Sequence, residues 1–210
     1  VSTWSVTISD PLNDTVLATI ENGVDTATGE VAIRGFDPPV VTPPGKGESL
    51  NLYVHQALLQ VPPRAIIQHS INGTPVFWGP AVIVPPPGAK GAGPRDVDRD
   101  ARERVTVLGG HRLLQDSIVG ARLLDRVALI ELGSADVAII AYELCRLYAH
   151  PALTVDALNF PATGAVLSIL YRPTSVLTDS LQVLAETVPG GAIPWVDATG
   201  AVHFEAQGGS

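Results

Sequence analysis

The stretch AIIQHSINGTPVFWG, residues 65–79, decides how the rest of the chain is read. Asn72-Gly73 lies between two runs rich in strand-forming residues. A two-residue type I′ turn needs φ > 0 at both central positions, which Asn and Gly tolerate. The stretch is therefore a β-hairpin. With these two residues as the turn, Ile71 faces Thr74, His69 faces Val76 and Ile67 faces Trp78. Pro75 falls opposite Ser70. Proline gives no N–H to a ladder, so the return strand is expected to be an edge or to carry a bulge.

Working outward, short alternating strands are expected at 4–8, 15–20 and 31–36, divided by Asp-Pro, Asn-Gly and Thr-Gly punctuation. Residues 38–47 (PPVVTPPGKG) read as a proline-stiffened loop. Its GKGES lacks the first glycine and the Ser/Thr after lysine that a phosphate loop needs. A further strand is expected within 49–59. After 82–94, a Pro/Gly loop, comes a neutral cluster of four arginines (95, 99, 102, 104) and four acids (Asp96, Asp98, Asp100, Glu103). The three aspartates alternate like calcium ligands, but Ala101 and Val107 stand where an EF-hand loop needs Gly and Glu. A solvated loop or an intersubunit contact is the better reading.

Residues 104–119 (RVTVLGGHRLLQDSIV) read as a strand, a double-glycine turn and a short helical turn. The clearest helix is 134–149, capped by Ser134 and ended by Pro151, with Val137, Ile140, Ala141, Leu144, Leu147 and Tyr148 as its apolar stripe. Cys145 lies beside that stripe and is read as packing, not as a nucleophile. A second helix is expected from about Ser175 to Val188, stopped by Pro189-Gly190-Gly191. The fold class that follows is mainly β (α+β): short-stranded β-barrel or sandwich domains with a small helical segment between them. The expected division is 1–126, an N-terminal β-barrel-like domain, and 127–210, a helix-containing α+β region with a C-terminal β-hairpin.

Composition narrows the function classes. Residues 1–126 hold 13 acids and 11 bases, a net of −2, whereas 127–210 hold 8 acids and 2 bases, a net of −6. Such a chain is not expected to bind nucleic acid tightly or sequence-specifically through phosphates. It is compatible with lining a passage through which nucleic acid slides. The single cysteine excludes a disulfide framework and a thiolate zinc site. No apolar run reaches the 18 or so residues of a membrane span. VSTWSVTISD lacks the basic and apolar regions of a signal peptide, and a start at Val1 with no methionine suggests a processed chain or an excised fragment.

Catalytic patterns are missing from the sequence: no GxSxG elbow, HExxH helix, CxxC pair or GxGxxG loop occurs. His55, His69, His111, His150 and His203 are scattered and are read as surface or edge positions. The most polar constellation is PWVDATGAVHF, 194–204. A three-residue loop, Ala198-Thr199-Gly200, would put Gly200 at the φ > 0 position of a type I turn with a G1 bulge. Asp197 then pairs with Ala201, Val196 with Val202 and Trp195 with His203. Val196 and Val202 mark the core side. Asp197 and His203 become diagonal neighbours with Cα atoms roughly 7–8 Å apart, a poor start for a catalytic hydrogen bond. No catalytic, cofactor-binding or metal-ligating residue is assigned, and no cofactor is expected.

Three patches together resemble the tail-tip or baseplate hub proteins of tailed bacteriophages and related injection machines. INGTPVFWGPAVIV (71–84) is similar to that family's hairpin, and RVTVLGGHRLLQDSIV (104–119) to its strand, small-residue turn and leucine-pair element. RPTSVLTDSLQVLAETVPGGAIPWVDATGAVHFE (172–205) resembles the helix and Trp-x-Asp-x-x-Gly hairpin of its later domain. The resemblance implies β-barrel-like domains joined by a helical segment, in a trimeric ring that continues the tail tube around the DNA channel. It implies partners among the other tail proteins (tail tube, tape measure, tail fibre or spike). The implied location is the virion tail tip, with the host cytoplasm during assembly. Such hubs are often longer, so this chain would be a minimal hub or a fragment. Trp4 and Trp78 would serve as interface anchors if exposed. Two other classes compete: a β-sandwich glycan-binding module using Trp78 or Trp195, and a tail-associated cell-wall hydrolase requiring Asp197.

Overall fold

A computed structural model describes residues 3–12, 15–21, 24–25, 37–40, 49–55, 63–84, 102–119, 134–168 and 176–207. The architecture is mainly β with a few helices, and the chain divides into two compact units, Val1–Gly109 and Gly110–Ser210. The sequence-based boundary at 126/127, the strand expected at 31–36 and the aspartates 96, 98 and 100 lie outside the described residues.

The first unit is built from β1 (Trp4–Ser9), β2 (Val16–Glu21), β3 (Val24–Asp25), β4 (Asp37–Val40), β5 (Ser49–His55), β6 (Ile66–Ile71), β7 (Thr74–Val84) and β8 (Arg102–Leu108). They form one sheet in the order β3-β2-β1-β6-β7-β8-β5-β4, and every pairing in it is antiparallel. β4 overlaps the start of the stretch 38–47, expected to be a loop. Its two prolines are tolerated because, among the described residues, β4 is the last strand of the sheet and bonds only to β5.

The hairpin of 65–79 forms as expected, with Asn72 at φ 51 and Gly73 at φ 78. Ile71 faces Thr74 and Ser70 faces Pro75, but a bulge then shifts the register, so His69 faces Phe77 and Gln68 faces Trp78. The expected His69–Val76 and Ile67–Trp78 pairs are therefore corrected by one residue. The bulge follows Pro75, which cannot donate to the ladder, and it leaves Val76 exposed while Phe77 enters the core. The strand is no edge.

β7 is shared by both halves of the sheet. Residues Thr74–Pro80 pair with β6, and Ala81–Val84 pair with β8. A strand that changes partners part-way is how sheets turn corners in barrels and orthogonal sandwiches. Gly79 sits at the change, where a Cβ would lie 1.8 Å from the Leu108 carbonyl oxygen. Only glycine permits that approach. The core beneath holds Val6, Ile8, Ile67, Phe77, Val105 and Val107, with Trp4 packed against it.

The second unit starts with α1 (His111–Gln115). β9 (Ser134–Asp136) and β10 (Val166–Ser168) form a two-stranded sheet, and α2 (Val137–Tyr148) follows β9 directly. A 3-10 turn spans Ala157–Asn159, and α3 (Leu177–Thr187) leads into the hairpin of β11 (Ala192–Val196) and β12 (Val202–Ala206). The cap of α2 differs from expectation. Ser134 is held extended by its pairing with Ser168, and Asp136 caps the helix by accepting from the Ala138 amide at 2.8 Å. Of the expected stripe, Val137, Ile140, Ala141 and Leu144 are buried, joined by Ala138 and Cys145. α3 buries Leu177, Leu181, Leu184 and Ala185, the i, i+4, i+7, i+8 face of a helix. It packs on α1, α2 and β11, while α2 packs on β12.

Candidate functional site

The β11–β12 hairpin carries a polar cluster of the second unit. Its entry is set by Gly190 and Gly191 at φ 83 and 84, which stop α3 and turn the chain into β11. The expected register holds: Trp195 faces His203, Val196 faces Val202, and the Asp197 amide donates to the Ala201 carbonyl at 3.0 Å. Gly200 takes φ 85, as the bulged turn requires. Strict alternation then sorts the side chains. Val202 and Phe204 are fully buried, whereas Ile193 and Trp195 stand on the outer face at 40% and 38% exposure. Beyond the turn, β12 is anchored by Thr154, whose amide donates to Gly200 O and whose carbonyl accepts from the Val202 amide, both at 2.9 Å.

Asp197 organises the turn. Its Oδ1 accepts from the Thr199 amide (2.8 Å), the Thr199 hydroxyl (2.7 Å) and the Ala201 amide (3.0 Å). Partial burial pushes this carboxyl up. The hydrogen bonds of Thr199, His203 and Ala201 outweigh burial and hold it down at about 2. Oδ2 lies 3.0 Å from His203 Nε2. The expectation that these diagonal neighbours would stay apart is thus corrected. A bulged turn increases the local twist of a hairpin, and two side chains of this length span the diagonal once twist inclines them together.

His203 is also stacked on Trp195, with ring centroids 4.2 Å apart and planes 14° from parallel. Its Nδ1 lies 3.8 Å from Glu205 Oε1, too long for a hydrogen bond. Among the described residues no Ser, Thr or Cys side chain is hydrogen-bonded to His203. The Asp–His pair has an orienting carboxylate and an imidazole, and among the described residues no hydroxyl or thiol joins the imidazole as the third member that nucleophilic catalysis requires. Cys145 does not supply it, being 1% exposed with its thiol pushed up to about 12 by burial.

Of the other histidines, His69 departs from expectation. His69, read as a surface or edge position, is buried in the first unit, on the same face of β6 as the core residue Ile67; burial lowers its pKa. Burial also lowers that of His111. His150 Nδ1 accepts from the Ala152 amide at 3.2 Å, closing the turn after α2. Trp78 is 8% exposed and Trp4 packs on the core, so of the three tryptophans Trp195 alone combines an outward position with an adjacent polar cluster. Among the described residues no group of three or more His, Cys, Asp or Glu could hold a metal ion. No helix among them is long and apolar enough to cross a membrane.

One cluster went unread in the sequence. Asp136 Oδ1 accepts from Ala138 N, Thr163 N (3.1 Å) and Thr163 Oγ1 (3.0 Å), and Oδ2 accepts from Gly164 N at 2.8 Å. Burial pushes this carboxyl up, and the four bonds outweigh it and hold it below the usual range. The signal was the Asp before the helix and the Thr-Gly 27 residues later. Only the fold brings them together.

No protein-family model matches the sequence, and no curated protein matches it. Solved structures do. The 43 kDa tail protein of prophage MuSo2 from Shewanella oneidensis is similar at a TM-score of 0.54 and 11% identity, over 99% of this chain and 56% of that one. A tail protein from Neisseria meningitidis MC58 is similar at a TM-score of 0.48 and 13% identity, over 96% of this chain and 50% of that one. At such identities the Shewanella match establishes a shared fold. The chain spans about half the length of both proteins.

Proposed function

We propose that this chain is a structural subunit of a bacteriophage tail, positioned at the tail tip or baseplate hub. There its copies form a trimeric ring that continues the tail tube around the DNA channel. The observation that carries the reading is the match along 99% of the chain to a prophage tail protein. Two physical properties support it. The eight-stranded sheet ends in short strands, β3 of two residues and β4 of four, whose outer edges suit completion by a neighbouring subunit. The acidic balance of residues 127–210 suits a surface along which DNA slides without sticking. The ring's partners are the tail tube, tape measure and tail fibre or spike proteins. The role is structural, not catalytic, and its location is the virion, with the host cytoplasm during assembly.

Light scattering on a sizing column, with negative-stain imaging, tests the proposal. A mass of three chains and ring-shaped particles are expected. A strictly monomeric chain at high concentration, with no rings, overturns it.

A further inference from the structure

The outer face of the β11–β12 hairpin carries Ile193, Trp195, His203 and Glu205, which puts exposed aromatic surface beside charge. Trp195 has one face against the imidazole of His203 and is 38% exposed. The stack and the 3.0 Å Asp197–His203 bond fix the imidazole, and through it the indole. An aromatic fixed in this manner loses little freedom on binding, which is what makes rigid Trp side chains effective anchors.

Charge decides the occupant. Residues 127–210 hold 8 acids and 2 bases. Among the described residues of this unit, the lysine and arginine side chains are Arg112 and Arg146. Each is engaged on its own helix, with Asp116 at 3.1 Å and with Glu143. Glu205 is 55% exposed beside the stack, and its one ion-pair neighbour is His203 Nδ1 at 3.8 Å. Among the described residues of this unit, the face thus offers an indole and a carboxylate that neither arginine engages.

We propose that this face docks a basic segment of a partner protein, with an arginine guanidinium lying over the exposed indole of Trp195 and pairing with Glu205. Guanidinium stacks on indole and pairs with carboxylate at once, which a neutral sugar or an acidic peptide does not. Ile193, beside Trp195 and across from Glu205, supplies the apolar contact for the arginine's neighbours. The proposal rests on the hairpin geometry and the local charge and does not depend on the tail reading.

The test is a titration of the intact chain with a nona-arginine peptide at 150 mM salt, followed by the indole N–H and Glu205 amide NMR signals and by calorimetry. Nona-lysine, nona-glutamate and chitohexaose serve as parallel probes. Expected are saturable shifts of the Trp195 indole and the β12 amides with nona-arginine, weaker ones with nona-lysine and none with the other two. Trp195→Ala and Glu205→Gln should each weaken binding about tenfold. Glu186→Gln, which removes the same charge from α3, should leave it unchanged. Equal loss with Glu186→Gln would mean diffuse attraction and overturn the proposal. So would unaltered binding by Trp195→Ala, or a shift of the Trp195 signal by the hexasaccharide and not by arginine.

Discussion

Replacing Asp197 by Asn removes a charge while keeping the shape of the turn, and its consequence can be worked from the bonds described. The carboxyl sits at about 2 in the folded chain against an ordinary 3.8. By linkage that difference is about 2.5 kcal/mol of stabilisation. The side chain is 26% exposed at a turn, and solvent screening reduces the figure to about 1–2 kcal/mol. The sign is that of a depressed acid: the stabilisation is complete above the unfolded value, near pH 4, and is lost as pH falls toward 2. Hydrogen exchange of the Val202 and Phe204 amides, read in the wild type and in Asp197→Asn from pH 7 to pH 2.5, isolates it as a difference between the two proteins. Expected is a gap of about 1–2 kcal/mol at neutral pH that closes in acid. A gap that stays constant down to pH 2.5, or one below about 0.3 kcal/mol at pH 7, would show that the four hydrogen bonds are not what holds the turn.

Three further outcomes are expected. Gly79→Ala, whose Cβ would meet the Leu108 carbonyl oxygen at 1.8 Å, should cost about 3 kcal/mol or more by forcing β7 and β8 apart, seen as a fall in urea midpoint. His69, with its pKa lowered by burial from 6.5, binds its proton more readily unfolded, so it contributes a loss of stability as pH drops below 6.5. His69→Leu should remove that slope between pH 6.5 and 5, measured by urea unfolding at each pH. Cys145 should resist a thiol-specific reagent in the native protein and react on denaturation, since burial holds its thiol at about 12.

What could be read from residues alone was local chemistry. Asn72-Gly73 and Gly200 announced their turns because few residues accept those backbone angles, and the apolar spacing of 137–144 announced a helix. Pro75 was recognised as an obstacle to pairing, but which residue would bulge depends on whether Val76 or Phe77 better fills the core. That is a property of the packed sheet. The cap of α2 was misplaced from Asp136 to Ser134 because a competing strand partner, 166–168, is remote in sequence. At the hairpin the pairing was legible and the Asp197–His203 contact was not, since alternation records which face a side chain takes and not how twist tilts it toward its diagonal neighbour.

The Asp136 clamp has a consequence for the connectivity of the chain. Three hydrogen bonds on one carboxylate tie the entry of α2 to the Thr163-Gly164 turn, across a separation of 27 and 28 residues, while a fourth from the Ala138 amide caps the helix. The three close a loop that contains the whole of α2 and the 3-10 turn after it. A chain with one cysteine cannot make that closure by an intramolecular disulfide. An ionised aspartate performs it instead, as a reversible tie that forms only once both ends are in place and that acid can undo.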